Sequence, residues 1–285
     1  MLIISEKTGQ LGNRLFLFAH IMAYAIEHKR TVVNPSFIEY ASFFETTQQD
    51  LLCRYPSNHF LSGKSTFLRK IIYRLVVCLS WLLSKLKINS ISVIKLLDNE
   101  IVQLDSSDFQ NFSKKQKIIF LQGWQFRSSL SLAKYSDQIR AFFIPIEPHR
   151  SQINLLITKI RYASDILCGV HIRQGDYVSF SGGKWFYNTA QYLQVMKSVE
   201  QLFPDKTVGF LICSNIAQEK EVFSEFNFFF ANNHIIEDMY SLAECDYIIG
   251  PPSTYTMWAS FYGEVPLYVV ENPSLKPVLS DFKFY

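Results

Sequence analysis

The stretch ILCGVHIRQGDY (166–177) sets the reading of the chain. Its first seven residues form an almost unbroken apolar run of strand length, and Arg173, Gly175 and Asp176 follow at once. A run apolar on both faces suits a strand buried inside a parallel sheet. Comparable runs lie at Val208–Cys213, Phe228–Ala231, Tyr247–Ile249 and Leu267–Val270. Helix-length segments separate them: Asn188–Phe203, Ile216–Phe226, Glu237–Cys245 and Ser253–Tyr262. In the first of these, Tyr192, Leu193, Met196, Val199 and Phe203 make a helical stripe. Strands alternating with helices predict βαβ units and a mainly parallel, Rossmann-like sheet.

The N-terminal half is less regular. It predicts a strand at Leu2–Ser5, a helix from about Arg14 to Glu27, and strands near Thr31–Val33 and at Lys117–Gln122. The two prolines of IPIEPHR (144–150) interrupt the pattern and suggest a boundary. The expected organisation is an α/β domain at 1–150, a second at 151–270 and a tail at 271–285.

At 285 residues, 48% hydrophobic and 19% charged, the chain can bury a sizeable core and is not a disordered one. A net charge of +3 gives no argument for a nucleic-acid partner. Cys53, Cys78, Cys168, Cys213 and Cys245 are odd in number, lack CxxC spacing and sit in or beside apolar runs. They read as reduced core thiols, with no zinc site and no disulfide frame. The start MLIISEKTGQLGN does not have the pattern of a secretory signal, so an intracellular, cytoplasmic protein is the expectation.

The small net charge hides an uneven distribution. No acidic residue falls between Asp50 and Asp98, a stretch carrying Arg54, Lys64, Arg69, Lys70, Arg74, Lys85, Lys87 and Lys95. The remaining 20 basic and 25 acidic residues leave the rest of the chain at −5. Within it, FLRKIIYRLVVCLSWLLSKLKI (67–88) is helical in length and strongly apolar. Its longest charge-free run, Leu75–Ser84, falls far short of the roughly 20 residues that span a bilayer. Two readings stand level: a core helix with solvated lysines, or a basic, apolar helix in peripheral contact with a membrane through 64–88, on the inner face.

Three short constellations fall where α/β sheets bind ligands, beyond the carboxyl ends of strands. In GVHIRQGDY (169–177), alternation puts His171 and Arg173 on one side of the strand. Arg173 is suited to a phosphate; a plain Arg173–Asp176 salt bridge accounts for the same residues. In IIGPPSTYTMW (248–258), Gly250 and two prolines end a strand and Ser253-Thr254 open a helix. Such a start is an anion site or an ordinary cap. In TGQLGNRLF (8–16), Gly9 and Gly12 allow close backbone approach, and Asn13 and Arg14 bring polar groups to a helix start. This is neither GxGxxG nor a Walker loop.

GQLGNRLF, HIRQGD and EDMYSLAECDYIIG-PPST together resemble the α-1,2-fucosyltransferases, glycosyltransferase family 11. Their order and spacing are also similar to those of the α-1,6- and protein O-fucosyltransferases. The resemblance runs from Gly9 to about Val270, with 51–98 poorly matched, and LQGWQFRSS (121–129) resembles a further family stretch. The family usually carries a second Arg where Gln174 stands. Its usual Ser-Ser-Phe-Ser-Trp-Trp-Gly is here Ser253 to Ala259, STYTMWA.

The resemblance implies a GT-B-like fold: two Rossmann-like domains with a mainly parallel sheet in each, the acceptor-side one carrying a basic apolar insertion at about 51–98. It implies transfer of L-fucose from GDP-fucose to an acceptor oligosaccharide or glycolipid, with inversion. By motif, Arg173 binds the diphosphate and His171 shapes the nucleotide pocket. Asp238, expected before the helix leading to Asp246, pairs with guanine, and Ser253 and Thr254 contact phosphate. Asn13 with Gly9, Gly12 and Arg14 approaches the diphosphate or the sugar. A base for the acceptor hydroxyl is sought in Asp176, with Glu6 second. Trp124, Phe126, Trp185 and Tyr187 are candidates for stacking on sugar. No Asp-x-Asp occurs, the nearest run being Asp98-Asn99-Glu100, so no metal and no cofactor are expected. The rival readings are a glycosyltransferase with another nucleotide sugar, a non-catalytic sugar- or nucleotide-binding accessory protein, and a membrane-surface adaptor.

Overall fold

The computed structural model describes residues 1–57, 61–86, 88–97 and 100–285. Lys87 of the basic stretch, and Asp98 and Asn99 of the acidic run, lie outside the described residues. The chain divides into two compact units, Met1–Ile146 and Glu147–Tyr285.

The first unit runs β1 (Leu2–Ile4), α1 (Leu11–Glu27), β2 (Val32–Val33), β3 (Arg54–Tyr55), α2 (Thr66–Lys85), β4 (Ile91–Lys95), β5 (Val102–Gln103), α3 (Ser107–Lys114), β6 (Ile118–Gln122), β7 (Phe126–Arg127), α4 (Ser129–Lys134) and α5 (Ser136–Phe142). Its main sheet has the order β3-β2-β1-β6-β4. All pairings are parallel except β2 with β3, which is antiparallel. Phe18, Phe37, Phe44, Phe142 and Phe143 cluster with ring centroids 5.1–6.1 Å apart, so much of the aromatic content is core.

The stretch 51–98, expected as an insertion, is integral to this unit. It supplies β3, α2 and the edge strand β4, and Val76 and Leu83 of α2 pack on Ile3, Val33 and Phe120 of the sheet. What anchors the start of α2 is polar. Arg69 is buried, and its guanidinium donates to the carbonyls of Thr47 (2.8 Å), Gln48 (2.8 Å) and Gly63 (3.4 Å). Four cysteines are buried as expected, but Cys78 on α2 is exposed.

The second unit runs α6 (Glu147–Tyr162), β8 (Ile166–Ile172), α7 (Thr189–Glu200), β9 (Val208–Ser214), β10 (Asn227–Phe230), α8 (Ile235–Leu242), β11 (Tyr247–Gly250), α9 (Thr254–Gly263) and β12 (Leu267–Val269). The sheet order β10-β9-β8-β11-β12 is wholly parallel. This is a doubly wound order that reverses between β8 and β11. Both units are Rossmann-like, in accord with the GT-B-like expectation.

Two local expectations differ from the structure. No α-helix forms over 216–226, where a single 3₁₀ turn spans Lys220–Phe223. Phe223 and Phe226 are drawn into the core against Phe230 and Phe210, and that packing overrides helical continuity. The two units meet between Ile146 and Glu147, within 144–150, and Pro148 sits in the first turn of α6, where its missing N–H has no helical partner to lose. The tail 271–285 belongs to the second unit, with Phe282 in its core and Lys283 bridged to Leu267.

Arg69→Met strips the three carbonyls of their donor. It should cost about 2–4 kcal/mol in urea unfolding, whereas Lys70→Ala, exposed next door, should change stability by less than about 0.5 kcal/mol. Equal effects would contradict the anchoring role.

Candidate functional site

β8 and β11 are neighbours, so their carboxyl ends deliver Arg173 and the Gly250-Pro-Pro-Ser turn side by side. Gly250 is required there for space: a Cβ would lie 2.9 Å from Thr256 Cγ2 and 3.2 Å from His171 Cβ. Ser253 caps α9, its Oγ accepting from Tyr255 N at 3.2 Å, and Thr254 begins the helix. Arg173 Nη1 donates to the same Oγ at 3.3 Å. A guanidinium and a helix N-terminus, both positive, therefore converge on one point.

Such convergence needs a counter-charge, and Asp176 supplies it. Arg173 Nε and Nη2 donate to the two Asp176 oxygens at 3.0 and 2.6 Å, a bidentate pair. The hydrogen bonds from Arg173 hold the Asp176 carboxyl below its ordinary range, which makes it a weak base in this arrangement. The Arg173 guanidinium also lies 4.7 Å over the Tyr177 ring, whose hydroxyl donates to Pro252 O at 2.6 Å.

His171 is buried, and its pKa falls to about 3 because burial and then Arg173 oppose its charge. It serves as a neutral ring, 4.9 Å from that of Tyr255, and its Nδ1 has no partner among the described residues. Tyr255 donates to Ile235 O at 2.9 Å and so ties α9 to α8.

Asp238 is not before its helix but within the first turns of α8, where Oδ1 accepts from His234 N at 3.2 Å. Burial pushes its pKa up to about 6. Glu237 and the N-cap His234 stand beside His149 of α6, a two-imidazole, one-carboxylate group. His234 Nδ1, however, accepts from the N–H groups of Ile236 and Glu237 at 3.3 and 3.4 Å. That engages Nδ1 of His234 as the N-cap acceptor of α8.

The N-terminal constellation lies in the first unit. Gly9 has φ +59°, and a Cβ there would stand 2.1 Å from Asn13 Nδ2, so the glycine lets Asn13 tuck against the loop. Gly12 is buried in the first turn of α1. Arg14 ties down the loop: it donates to Gly9 O at 3.1 Å and pairs with Glu39 at 2.6 Å. Of the candidate stacking residues, Phe126 and Tyr187 are core, the latter donating to Val270 O at 2.9 Å. Trp124 is covered by Arg127 at 4.9 Å and Trp185 by Lys184 at 4.4 Å.

Several site residues escape the sequence reading. Gln174 is buried and donates to Tyr187 O at 2.9 Å, while Gln218 donates to its Oε1 at 2.9 Å. Asn215 Oδ1 accepts from Gln174 N at 2.9 Å, and its Nδ2 donates to Asp176 at 3.4 Å. The available signal for Asn215 is its place directly after the β9 strand, beside the end of β8 in register.

A doubly wound sheet with a guanidinium and a helix start side by side at its switch point defines the class of the protein as α/β. The family model for glycosyl transferase family 11 matches residues 87–273, and the chain belongs to that family. No curated protein matches it by sequence. Among solved structures, fucosyltransferase NodZ from Bradyrhizobium is 20% identical, with 96% of each chain covered and a TM-score of 0.57. A mutant of FUT1 from Arabidopsis thaliana in complex with GDP is 14% identical, covering 98% of this chain and 71% of that one, TM-score 0.56. POFUT1 in complex with GDP-fucose is 12% identical, covering 93% and 94%, TM-score 0.52. At these identities the likeness is one of fold.

The Asp238 pKa carries a sign. A carboxyl raised from 3.8 to about 6 binds more protons folded than unfolded between those values. Its contribution to stability therefore falls as pH rises from about 4 to 6, by on the order of 2–3 kcal/mol. Asp238→Asn keeps an acceptor for His234 N–H and removes the titration. Its melting temperature should gain on the native protein's over that range; parallel curves would contradict the buried-carboxylate account.

Proposed function

We propose that the chain transfers L-fucose from GDP-fucose to a hydroxyl of an acceptor glycan, α-1,2 to galactose, with inversion, in surface polysaccharide synthesis. The observation that carries this is the convergence of Arg173, Ser253 and the α9 N-terminus at the switch point of a glycosyl transferase family 11 member. Fold neighbours that hold GDP or GDP-fucose support the choice of donor.

Departure of GDP places negative charge on the β-phosphate. Donors already fixed by Asp176, Tyr177 and the α9 cap need no reorganisation to receive it. When the diphosphate arrives, Arg173 turns at least one N–H from Asp176 to phosphate. That raises the Asp176 pKa toward its ordinary range and frees a carboxylate oxygen for the acceptor hydroxyl. His171, held neutral, packs the nucleotide pocket with Tyr255. Asp238 accepts from guanine N1–H and N2–H, and the ionised form that burial disfavours is the one guanine rewards. In the first unit, Arg14 holds the Gly9–Gly12 loop beside Asn13. The site is cytoplasmic, at the inner membrane face, and works without a divalent ion because guanidinium and helix start supply the charge stabilisation.

Arg173→Ala should lower the rate of GDP release from GDP-fucose by about a hundred- to thousandfold, or 2.7–4 kcal/mol, in a protein with native circular dichroism. Near-normal turnover by the folded variant would sink the assignment. Activity should also survive excess EDTA, and loss restored by magnesium or manganese would overturn metal independence. By calorimetry, Asp238→Asn should weaken GDP binding about tenfold and narrow the preference over ADP and UDP. A variant that only loses thermal stability, with an unchanged GDP-to-ADP ratio, would make Asp238 a helix cap.

A further inference from the structure

Helix α2 buries one narrow edge and presents the rest. At 100° per residue, Arg69, Val76, Ser80 and Leu83 form the inner edge, anchored by the Arg69 bonds and by Gln122 Nε2 donating to Ser80 Oγ at 3.1 Å. Phe67, Ile71, Leu75, Leu79 and Leu82 recur at three- and four-residue steps on the opposite side, and all are exposed. Phe67 is 69% exposed, Leu75 63% and Trp81 64%, values a core helix does not leave on large apolar side chains.

Charge identifies what covers this face. Lys70, Arg74 and Lys85 flank the apolar stripe, and the surrounding sequence has no acidic residue from 51 to 97. A second copy packed face to face would set these cations against their own kind. An anionic leaflet answers both features, since acyl chains take the apolar stripe and headgroups take the lysines and arginine. No described helix is long and apolar enough to cross a membrane.

We propose that the outward face of α2 is a membrane-docking surface that seats the enzyme on an anionic lipid leaflet. It gives the peripheral location a structural basis and stands apart from the sugar chemistry, which uses other residues. A glycan carried on a lipid would then meet the enzyme at the surface where it is displayed.

The test uses the purified full chain, without nucleotide, and phosphatidylcholine vesicles with or without phosphatidylglycerol. Co-sedimentation should be about tenfold stronger with the anionic lipid and should weaken as salt rises, because exposed charges are screened beyond about 10 Å at 0.1 M. Trp81 emission should shift to the blue on binding, and Trp81→Phe should abolish that shift while vesicles still bind. Leu75→Glu with Leu82→Glu should reduce binding about tenfold with native circular dichroism and unchanged GDP affinity. Absence of binding, or equal binding to both vesicles, would overturn the proposal. So would a dimer in sedimentation equilibrium that the double glutamate variant converts to monomer, which would make the face a contact between copies. Failed vesicle binding with intact GDP release leaves the transfer reading standing; the converse leaves the docking surface standing.

Discussion

Arg173 leaves a strand buried on both faces and must keep its charge at the edge of an apolar sheet. Its side chain is only 18% exposed, so the charge persists because Asp176, Ser253 and the Tyr177 ring share it. The surrounding structure is arranged to make that possible. β11 must lie beside β8 for Ser253 to arrive, Gly250 must lack a Cβ, and Tyr177 must be held by Pro252. Gln174 and Asn215 fix the turn between Arg173 and Asp176 from behind. On the proposed reading the same demands give the site its chemistry, since a positive point already balanced by an exchangeable carboxylate accepts a second anion at low reorganisation cost.

The second unit is legible because its sheet is wholly parallel. Strands covered on both faces read as unbroken apolar runs, and ILCGVHI and its four counterparts mark their limits to within a residue or two. The segment 216–226 is not legible, since Phe223 and Phe226 carry an apolar pattern that serves the core without a helix. Asp238 reads as lying before its helix because its role at the α8 start depends on the N-cap, and the cap is a histidine, outside the usual Ser, Thr, Asp and Asn. Arg173, Asp176 and Ser253 are legible as candidates, but a salt bridge and a phosphate site look alike in sequence. The structure contains the salt bridge, and it also puts the bridge at a switch point, which no local pattern encodes.

The first unit hides more. Its sheet is assembled from short strands, two of them only two residues long, and β4 lies inside a stretch that composition marks as foreign. The basic, apolar character of 51–98 suggests an appendage, yet Arg69 ties α2 to the loop carbonyls of Thr47, Gln48 and Gly63, and Ser80 ties it to Gln122 of the sheet. With large apolar side chains outside and polar anchors inside, the helix inverts the pattern by which a sequence announces its buried side. Gln174 illustrates the same lesson at the site. It stands where the family usually has arginine, and here the position is buried and spends its amide on Tyr187 O and Gln218.

On the proposed reading the diphosphate takes over Arg173 from Asp176. A crystal structure of the chain with GDP tests it most directly. The expected result is a phosphate oxygen within hydrogen-bond reach of the Arg173 guanidinium and of the backbone N–H groups at the α9 start, with at least one Arg173–Asp176 bond broken. A nucleotide bound elsewhere, with the bidentate pair intact, would contradict it.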